Sequence, residues 1–452
     1  MDRRTFKKDD LLGREQFSQK LEKFVLVEKD YVEGSLVIAL NGGFGSGKSA
    51  FIEMWASSLT ERRGKGEFAP MPVILNAWES DHCGDPLISI LSGLLKAVKS
   101  WKGDDKPNES KLREAAKDVG WFAAGLVNEF SAKALGINPV KAGELAEKKG
   151  QERTKKPDFI ALYDKRVEAL SNLKSELRGA FGGSETKVIV FVDELDRCRP
   201  DYAVSYLETI KHVFDVVGMI FVLAVDCGQL RSSAQALFGS DLNFPDYFRK
   251  FCHRTFSFPE SKGGMDVLAE AYSRKYIEIE GKRASSLALK GNTQENLAHL
   301  VSGLEMRPRQ IQEAFRLIGH ATSTLKEENR QNLLWGISAG VCLLCCIKVT
   351  HPELFDQIRR GNPMLQQIGE ILSIGLGKEE AIWWIDLYVS GASTRDGSSL
   401  YDELYGLGEL YGGIVDVDVI NAQFQEGWGY ARRDESRIKW LAAVIEGADT
   451  ID

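Results

Sequence analysis

The sequence predicts an α/β fold with a mostly parallel sheet, followed by an α-helical lid or bundle. Three observations support this prediction. Short apolar runs alternate with helical segments over the first 260 residues, which is typical of βαβ units. These runs lack polar–apolar alternation, as expected of strands that are buried on both faces. After Pro259 the strand pattern ends, and helical patterns cover most of the remaining chain.

The predicted elements follow one another in a regular order. Predicted strands are 35–40, 73–76, 188–193 and 219–226. Predicted helices among them are 11–30, 48–59, 86–100 and 201–216. Beyond residue 260, helices are predicted at 264–280, 293–304, 308–326 and 329–349.

A long charged insertion separates the second and third predicted strands. It spans about 102–182, has a helical pattern, and is interrupted by a Lys/Glu-rich section at 141–156. With 452 residues, the chain has room for two or three domains of roughly 150 residues each. We predict a core at 1–260 that contains the insertion, a helical lid at 261–350 and a C-terminal helical extension at 351–452.

Composition and charge limit the functional classes. The net charge is −7, which argues against a basic nucleic-acid footprint over the whole chain without excluding nucleic acid as a partner. The charged N-terminus, MDRRTFKKDD, has no apolar core of a signal peptide. Seven cysteines, an odd number, suggest reduced thiols and a cytoplasmic setting. Cys342, Cys345 and Cys346 lie in an apolar helical run, where buried small side chains are favoured over a metal or redox site.

Two apolar runs raise the question of a membrane. In the insertion, the longest uncharged run is Val119–Asn128, far short of the roughly 20 residues of a spanning helix. The run Gln331–Ile347 is uncharged over 17 residues, just below that length. We predict a core helix for the second run and no membrane span in the chain.

The segment GGFGSGKSA at 42–50 directly follows the first predicted strand and fits the pattern Gly-x-x-x-x-Gly-Lys-Ser. Glycines allow backbone N–H groups to curl around a phosphate, Lys48 reaches the phosphate charge, and the Ser49 hydroxyl ligates Mg²⁺. The candidate nucleotide-binding residues of this loop are Gly42, Gly43, Phe44, Gly45, Ser46, Gly47, Lys48, Ser49 and Ala50.

A second motif, VIVFVDELD at 188–196, supplies acidic groups at a strand end. Asp193 is placed to hold Mg²⁺, and Glu194 to act as general base or to orient water. An acidic strand cap without chemistry is the alternative. Together with the glycine-rich loop, the motif predicts a P-loop nucleoside-triphosphate hydrolase whose catalytic residues are Lys48, Asp193 and Glu194.

Asp226 ends the next predicted strand and leaves two interpretations open. It can sense the γ-phosphate or orient water, or it can cap the following helix. Asp196 and Arg197 follow the acidic pair on the same turn, and for Arg197 an ordinary surface ion pair remains an alternative.

Several segments around these motifs resemble the KAP family of P-loop NTPases. They are DDLLGRE at 9–15, LNAW at 75–78, VDELDRCRP at 192–200, PDYFRKFCHRTFSFP at 245–259 and MRPRQIQEAF at 306–315. The resemblance covers about residues 9–320, and its most specific segment is the one around Asp193.

The resemblance implies an ASCE-type core that binds ATP and Mg²⁺. It places Leu12, Gly13 and Arg14 near the adenine, and Trp78 either in the same cleft or, as we favour, in the core. No Asn-Lys-x-Asp segment that would read guanine is found in the chain.

A hydrolysis transition state also needs a positive group at the γ-phosphate. The candidates are Arg199, Arg249, Arg254, Arg307 and Arg309. We select Arg309, in the Pro-Arg motif of the lid, as an in-chain sensor. Arg249 or Arg254 would instead act across a subunit interface.

Many KAP members carry transmembrane helices between the two phosphate motifs, where this chain has a charged insertion. The resemblance therefore implies a soluble, prokaryotic-type ATPase, with phage or plasmid exclusion as one known setting of the family. We expect an ATP-driven conformational or oligomerisation switch that forms a homo-oligomer and engages a protein partner.

Three alternatives stay open at this point. A nucleic-acid-dependent ATPase, helicase-like or nuclease-coupled, is disfavoured by the acidic charge. A small-molecule kinase is disfavoured because a base such as Glu194 is wanted when water is the acceptor. A scaffold with a vestigial site is disfavoured because every motif residue is present.

Overall fold

The structure, a computed structural model, describes most of the chain. The described residues are 4–101, 106–124, 159–182, 188–259, 267–268, 270–272, 274, 292–329, 334–362, 364–393, 417–428 and 436–447. They form two compact units, one of Met1–Asp10 with Arg14–Pro259 and one of Leu11–Gly13 with Glu260–Asp452. The three-domain division, with its boundary between lid and extension at 350, stays a prediction.

The first unit is built on a five-stranded parallel sheet in the order β2-β3-β4-β1-β5. The strands are β1 (Leu36–Asn41), β2 (Met71–Asn76), β3 (Val188–Asp193), β4 (Met219–Val225) and β5 (Arg254–Ser257). The predicted α/β fold with a parallel sheet is confirmed. Because β4 lies between β1 and β3, the two motif strands are not direct neighbours.

Helices connect the strands of the first unit. They are α1 (Phe6–Asp9), α2 (Glu15–Glu28), α3 (Lys48–Gly64), α4 (Ala77–Asp81), α5 (Pro86–Ser100), α6 (Glu109–Ala124), α7 (Phe159–Phe181), α8 (Pro200–Val213), α9 (Cys227–Phe238) and α10 (Phe244–Phe248). The two described parts of the predicted insertion are α6 and α7, which pack against each other. Its Lys/Glu-rich section at 141–156 lies outside the described residues.

The sequences of the central strands are continuous apolar runs because both faces of the sheet are buried. Along β1, Val37 and Ala39 belong to one hydrophobic cluster, whereas Leu36, Ile38 and Leu40 belong to a second one. Side chains of a strand alternate between the faces, so each cluster receives every second residue.

The strand β5 is absent from the sequence prediction. It has only four residues, three of them polar, and three are exposed. A strand this short at a sheet edge has neither an apolar run nor an alternation of buried and exposed residues, so its sequence does not indicate a strand. Its pairing with β1 begins at Ile38 opposite Arg254.

The opposite edge of the sheet is β2, which contains Pro72. A proline lacks the N–H that a second neighbouring strand would need, and it is tolerated at an edge. Along this edge a groove of about 940 Å³ lies between α3 and α5. Gly93 lets α5 approach the strand, since a Cβ there would lie 2.1 Å from a methyl carbon of Leu75.

The amino end of β1 is fixed by two polar side chains. Asp215 accepts hydrogen bonds from the backbone N–H of Ser35 at 2.9 Å and from its hydroxyl at 3.4 Å. The Nδ1 atom of His253 accepts one from the backbone N–H of Val37 at 3.0 Å. Gly34, in the turn beside Asp215, has φ of 92°, and a Cβ on Gly34 would collide with the carboxylate of Asp215. These contacts anchor the start of the central strand.

The second unit is helical wherever it is described with regular structure. Its helices are α11 (Asn292–Gly303), α12 (Pro308–Asn329), α13 (Trp335–Thr350), α14 (Pro352–Arg360), α15 (Leu365–Gly375), α16 (Lys378–Ala392), α17 (Val417–Trp428) and α18 (Arg437–Gly447). The predicted C-terminal helices are therefore confirmed. Most of the helix predicted at 264–280 lies outside the described residues.

The helix α13 forms the centre of this unit's hydrophobic cluster. It covers most of the apolar run Gln331–Ile347, and Cys342, Cys345 and Cys346 are fully buried in it. The prediction of a core helix with buried cysteines is confirmed. Among the helices of the described residues, none is long and apolar enough to cross a membrane.

Candidate functional site

The glycine-rich loop connects the end of β1 to the first residue of α3. Gly45 and Gly47 have φ of 77° and 91°, a left-handed conformation that residues with a Cβ rarely adopt. A Cβ on Gly47 would also lie 2.8 Å from a guanidinium nitrogen of Arg14. The loop therefore needs glycine at 47 for its backbone and for its neighbour. Within the loop, the N–H of Ser46 donates to the Gly43 carbonyl at 3.3 Å.

Lys48 is buried, with 8% of its surface exposed. Its ammonium group donates to the carbonyl of Gly42, and to that of Gly43 at 3.3 Å. Burial lowers the pKa of Lys48, and the nearby carboxylates of Asp196, Asp226 and Asp193 oppose that shift. A buried cation thus lies inside the loop, and the charges of three carboxylates act on it.

Asp193 ends β3 and is also buried. Burial raises its pKa, and the nearby hydroxyl of Ser49 opposes that shift. A carboxylate beside a hydroxyl is a set of oxygen donors that Mg²⁺ accepts, usually together with water and phosphate oxygens. These two residues fit the metal that the motifs imply.

Glu194 has an unusual backbone conformation, with φ of 59° in the left-handed region. Its N–H donates to Asp193 Oδ1 at 3.0 Å. Its carboxylate has two partners: Oε2 accepts from Asn76 Nδ2 at 3.1 Å, and Oε1 pairs with Arg197 Nη2 at 3.0 Å. A non-glycine residue in this conformation is uncommon, and such residues cluster at functional sites.

Asn76 is a site residue that the sequence analysis missed. It ends β2 opposite Asp193 in the register, and its Oδ1 also caps α4 by accepting from the Glu79 N–H at 3.1 Å. One amide therefore holds both a helix start and Glu194. A polar residue at the end of an apolar strand was the available signal.

Asp226 acts as the N-cap of α9. Its Oδ1 accepts from the N–H groups of Gly228 at 2.9 Å and Gln229 at 3.4 Å. The carboxylate of Asp196 lies near Asp226, and burial raises the pKa of Asp196. Of the two interpretations that were left open, the structure shows the cap. A role at the γ-phosphate stays a prediction.

Three candidate arginines have acidic partners close to them. Arg199 binds Asp81 through Nε at 3.1 Å, and its backbone N–H donates to the same carboxylate. Arg249 pairs with Asp246, and Arg254 pairs with Glu28, each at 3.0 Å. Arg307 and Arg309 belong to the second unit, where Arg309 is exposed in the first turn of α12.

Arg14 is buried beside the glycine-rich loop. Its guanidinium lies 4.3 Å from the ring centre of Phe258, and its Nη2 donates to the Pro259 carbonyl at 3.3 Å. Burial lowers its pKa to about 10, against the opposing charge of Asp10. Arg14 therefore supports the loop from the side of Gly47. Its predicted contact with the adenine stays a prediction.

The prediction that Trp78 fills the core is wrong. Half of its surface is exposed, and 45% of Phe44 in the glycine-rich loop is exposed as well. The guanidinium carbon of Arg197 lies 4.5 Å from the Phe44 ring centre and 5.4 Å from that of Trp78. Both rings are thus near the surface, and each lies beside the guanidinium of Arg197.

This combination of fold and site defines a P-loop nucleoside triphosphatase: a glycine-rich loop between β1 and α3, with an acidic pair at the end of a strand two places away. Residues 14–325 match the KAP family P-loop domain, and the chain belongs to that family. The resemblance that the motifs indicated is confirmed.

Three further proteins are similar to part or most of the chain. An uncharacterized protein of Methanocaldococcus jannaschii is 23% identical over 162 residues, which cover 32% of this chain and 84% of that protein. The ORC2 protein of Aeropyrum pernix, solved in ADPNP–ADP complexes, is 12% identical with a TM-score of 0.35, covering 96% of this chain and 94% of that one. The ORC1 protein of Aeropyrum pernix in complex with DNA is 14% identical with a TM-score of 0.36, covering 96% and 91%.

Proposed function

We propose that the protein is a Mg²⁺-dependent ATPase whose hydrolysis site is the loop 42–49 together with Asp193 and Glu194. The observation that carries this proposal is the buried Lys48 ammonium, which lies inside the glycine-rich loop and donates to its carbonyl groups. In that place it can bind phosphate oxygens in exchange for the loop carbonyls. The choice of ATP over GTP rests on the family resemblance.

The roles of the individual residues follow from their positions. Ser49 and Asp193 would hold Mg²⁺, which supplies charge stabilisation at the phosphates when bound. Glu194 would orient water and accept its proton, because its carboxylate lies on the turn next to Asp193. Asn76 fixes one oxygen of that carboxylate.

Phosphate release from the full chain tests this proposal directly. We expect hydrolysis of MgATP by the wild type, and loss of nucleotide binding in Lys48→Ala. Lys65→Ala is a matched control, since Lys65 is an exposed lysine just beyond the other end of α3. Hydrolysis that continues unchanged in Lys48→Ala or in EDTA would reject the proposed site.

We also propose that hydrolysis drives a change of conformation or of oligomeric state, with Arg309 as the in-chain sensor. Support comes from the family and from the position of Arg309 in the first turn of α12. Light scattering of Glu194→Gln with and without MgATP should show an ATP-dependent change in mass. The same monomer in both conditions would contradict an oligomeric switch. Arg309→Ala should keep nucleotide binding but lower hydrolysis.

The proposed cellular role is exclusion of phages or plasmids by a cytoplasmic protein with a protein partner. It rests on the resemblance to soluble, prokaryotic members of the family. Cells that express the wild type should resist phage infection or plasmid transfer, and cells with Lys48→Ala should not. Strong stimulation of the ATPase by DNA or RNA would favour the nucleic-acid-dependent alternative instead.

A further inference from the structure

Arg197 connects three parts of the candidate site. It ends the short turn Leu195–Arg197 that follows Glu194, and its guanidinium lies between two aromatic rings. Phe44 comes from the glycine-rich loop, and Trp78 comes from α4. The same guanidinium forms the ion pair with Glu194 Oε1 at 3.0 Å. The phosphate loop, α4 and the acidic turn thus meet at one side chain.

The surroundings of this ion pair differ from those of a surface pair. The side chains of Arg197 and Glu194 are 30% and 18% exposed, while the Arg249–Asp246 pair at the same sequence spacing is 77% and 62% exposed. A guanidinium held over aromatic faces loses less freedom when it binds a carboxylate. The charge of Arg197 also reaches the loop, where it contributes to lowering the pKa of Lys48.

The ion pair restrains a side chain that the proposed reaction needs. Both carboxylate oxygens of Glu194 are engaged, one by Asn76 and one by Arg197. A general base must direct a free lone pair at the attacking water. Each oxygen keeps a second lone pair, but the two bonds fix the direction of the carboxylate. Glu194 therefore has to leave Arg197 before it can turn Oε1 towards a water that lies in another direction.

We propose that Arg197 is a positioning residue that holds Glu194 in an inactive arrangement, and that Phe44 and Trp78 keep Arg197 in place. The proposal rests on the proposed ATPase function. The exposed faces of both rings make this restraint accessible from outside the site. Displacing either ring releases Arg197, and with it Glu194.

Steady-state kinetics of the full chain test the restraint. Arg197→Ala should raise kcat several-fold and by no more than about tenfold, because partly exposed ion pairs are weak, with the Kd for ATP unchanged. Trp78→Ala should shift kcat in the same direction by less. Trp78→Phe keeps an aromatic face and should behave as the wild type. Arg359→Ala is the matched control: Arg359 pairs with Asp356 at the same sequence spacing in the second unit, and its loss should not change kcat.

A second measurement reports the contact of Arg197 with the Trp78 ring and does not depend on ATP hydrolysis. In protein labelled with 5-fluorotryptophan, the ¹⁹F resonance of Trp78 is assigned by its loss in Trp78→Phe. That resonance should move in Arg197→Ala and also in Glu194→Gln, which breaks the ion pair from its other end. The control Arg359→Ala should leave it in place.

The outcomes separate the two proposals. If the wild type hydrolyses ATP but kcat of Arg197→Ala is unchanged or lower, the restraint is rejected and the ATPase stands. If neither variant nor wild type hydrolyses ATP, both proposals fail. If Arg197→Ala does not fold, the kcat of Trp78→Ala and the resonance shift in Glu194→Gln test the restraint instead. A resonance that does not move in Glu194→Gln rejects the proposed contact between the ion pair and Trp78.

Discussion

The two ends of the parallel strands of the sheet carry polar side chains that are held in different ways. At the amino end, Asp215 and His253 bind backbone N–H groups of β1 and of the turn before it. At the carboxyl end, Glu194 binds the side chains of Asn76 and Arg197. Contacts to backbone are fixed by the fold, whereas contacts between side chains can be exchanged. The difference indicates that the carboxyl end serves catalysis and the amino end serves stability.

The largest expected effect is at the carboxyl end. Glu194→Gln should lower ATP hydrolysis by about 10²–10⁴-fold while nucleotide binding is kept, because the amide cannot accept a proton from water. Phosphate release and binding of a fluorescent ATP analogue measure the two quantities. Asp226→Asn makes the same replacement at the next strand end and should keep hydrolysis within a few-fold of the wild type.

A loss of ATP hydrolysis of more than tenfold in Asp226→Asn would contradict the different roles expected for Glu194 and Asp226. It would show that Asp226 takes part in the reaction in addition to capping α9.

At the amino end the expected effect is on stability. Asp215→Ala removes the acceptor of the buried Ser35 N–H, so the free energy of unfolding should fall by about 1–3 kcal/mol. Urea unfolding measures this change. Asp215→Asn keeps an acceptor oxygen, so its free energy of unfolding should fall by less. ATP hydrolysis by the folded variant should be unchanged, and a loss of hydrolysis would contradict a purely structural role for this end.

Asp226 allows a smaller test within the carboxyl end itself. Asp226→Ala should lower the free energy of unfolding by about 1 kcal/mol, because the first N–H groups of α9 lose their cap. Asp226→Asn retains a capping oxygen and should be close to the wild type in the same urea titration. Equal losses in both variants would show that charge, rather than capping, is what Asp226 contributes.

The smallest expected effect is the pH dependence of the amino end. Burial lowers the pKa of His253, so the unfolded chain binds a proton more readily than the folded one. The stabilising effect of neutral His253 is complete above its ordinary pKa of about 6.5 and declines as the pH falls below that value.

Urea titrations over this pH range should therefore show a decline in the wild type that is reduced in His253→Asn. Asparagine offers an acceptor oxygen near the position of Nδ1 and does not titrate. Identical pH slopes in the two proteins would contradict the effect.

The sequence predicts what depends on local chain geometry. The positions of Lys48 and Asp193 follow from a glycine-rich loop after one apolar strand and an acid after another. The partnership of Asn76 with Glu194 spans 118 positions, so no local pattern reveals it. Trp78 is half exposed and lies beside Arg197, which comes from a distant part of the chain, so the local sequence does not predict its surroundings. The strand β5 was missed because its residues are few and polar.

The left-handed backbone of Glu194 has a consequence for how this sequence changes over time. Glycine adopts φ of 59° without strain and asparagine tolerates it, while other residues lose on the order of 1 kcal/mol there. Selection for thermostability alone would favour one of those two residues at position 194. A glutamate in that place is a trade-off between stability and activity, and stabilising substitutions recovered by an unbiased screen should include inactive ones at this position.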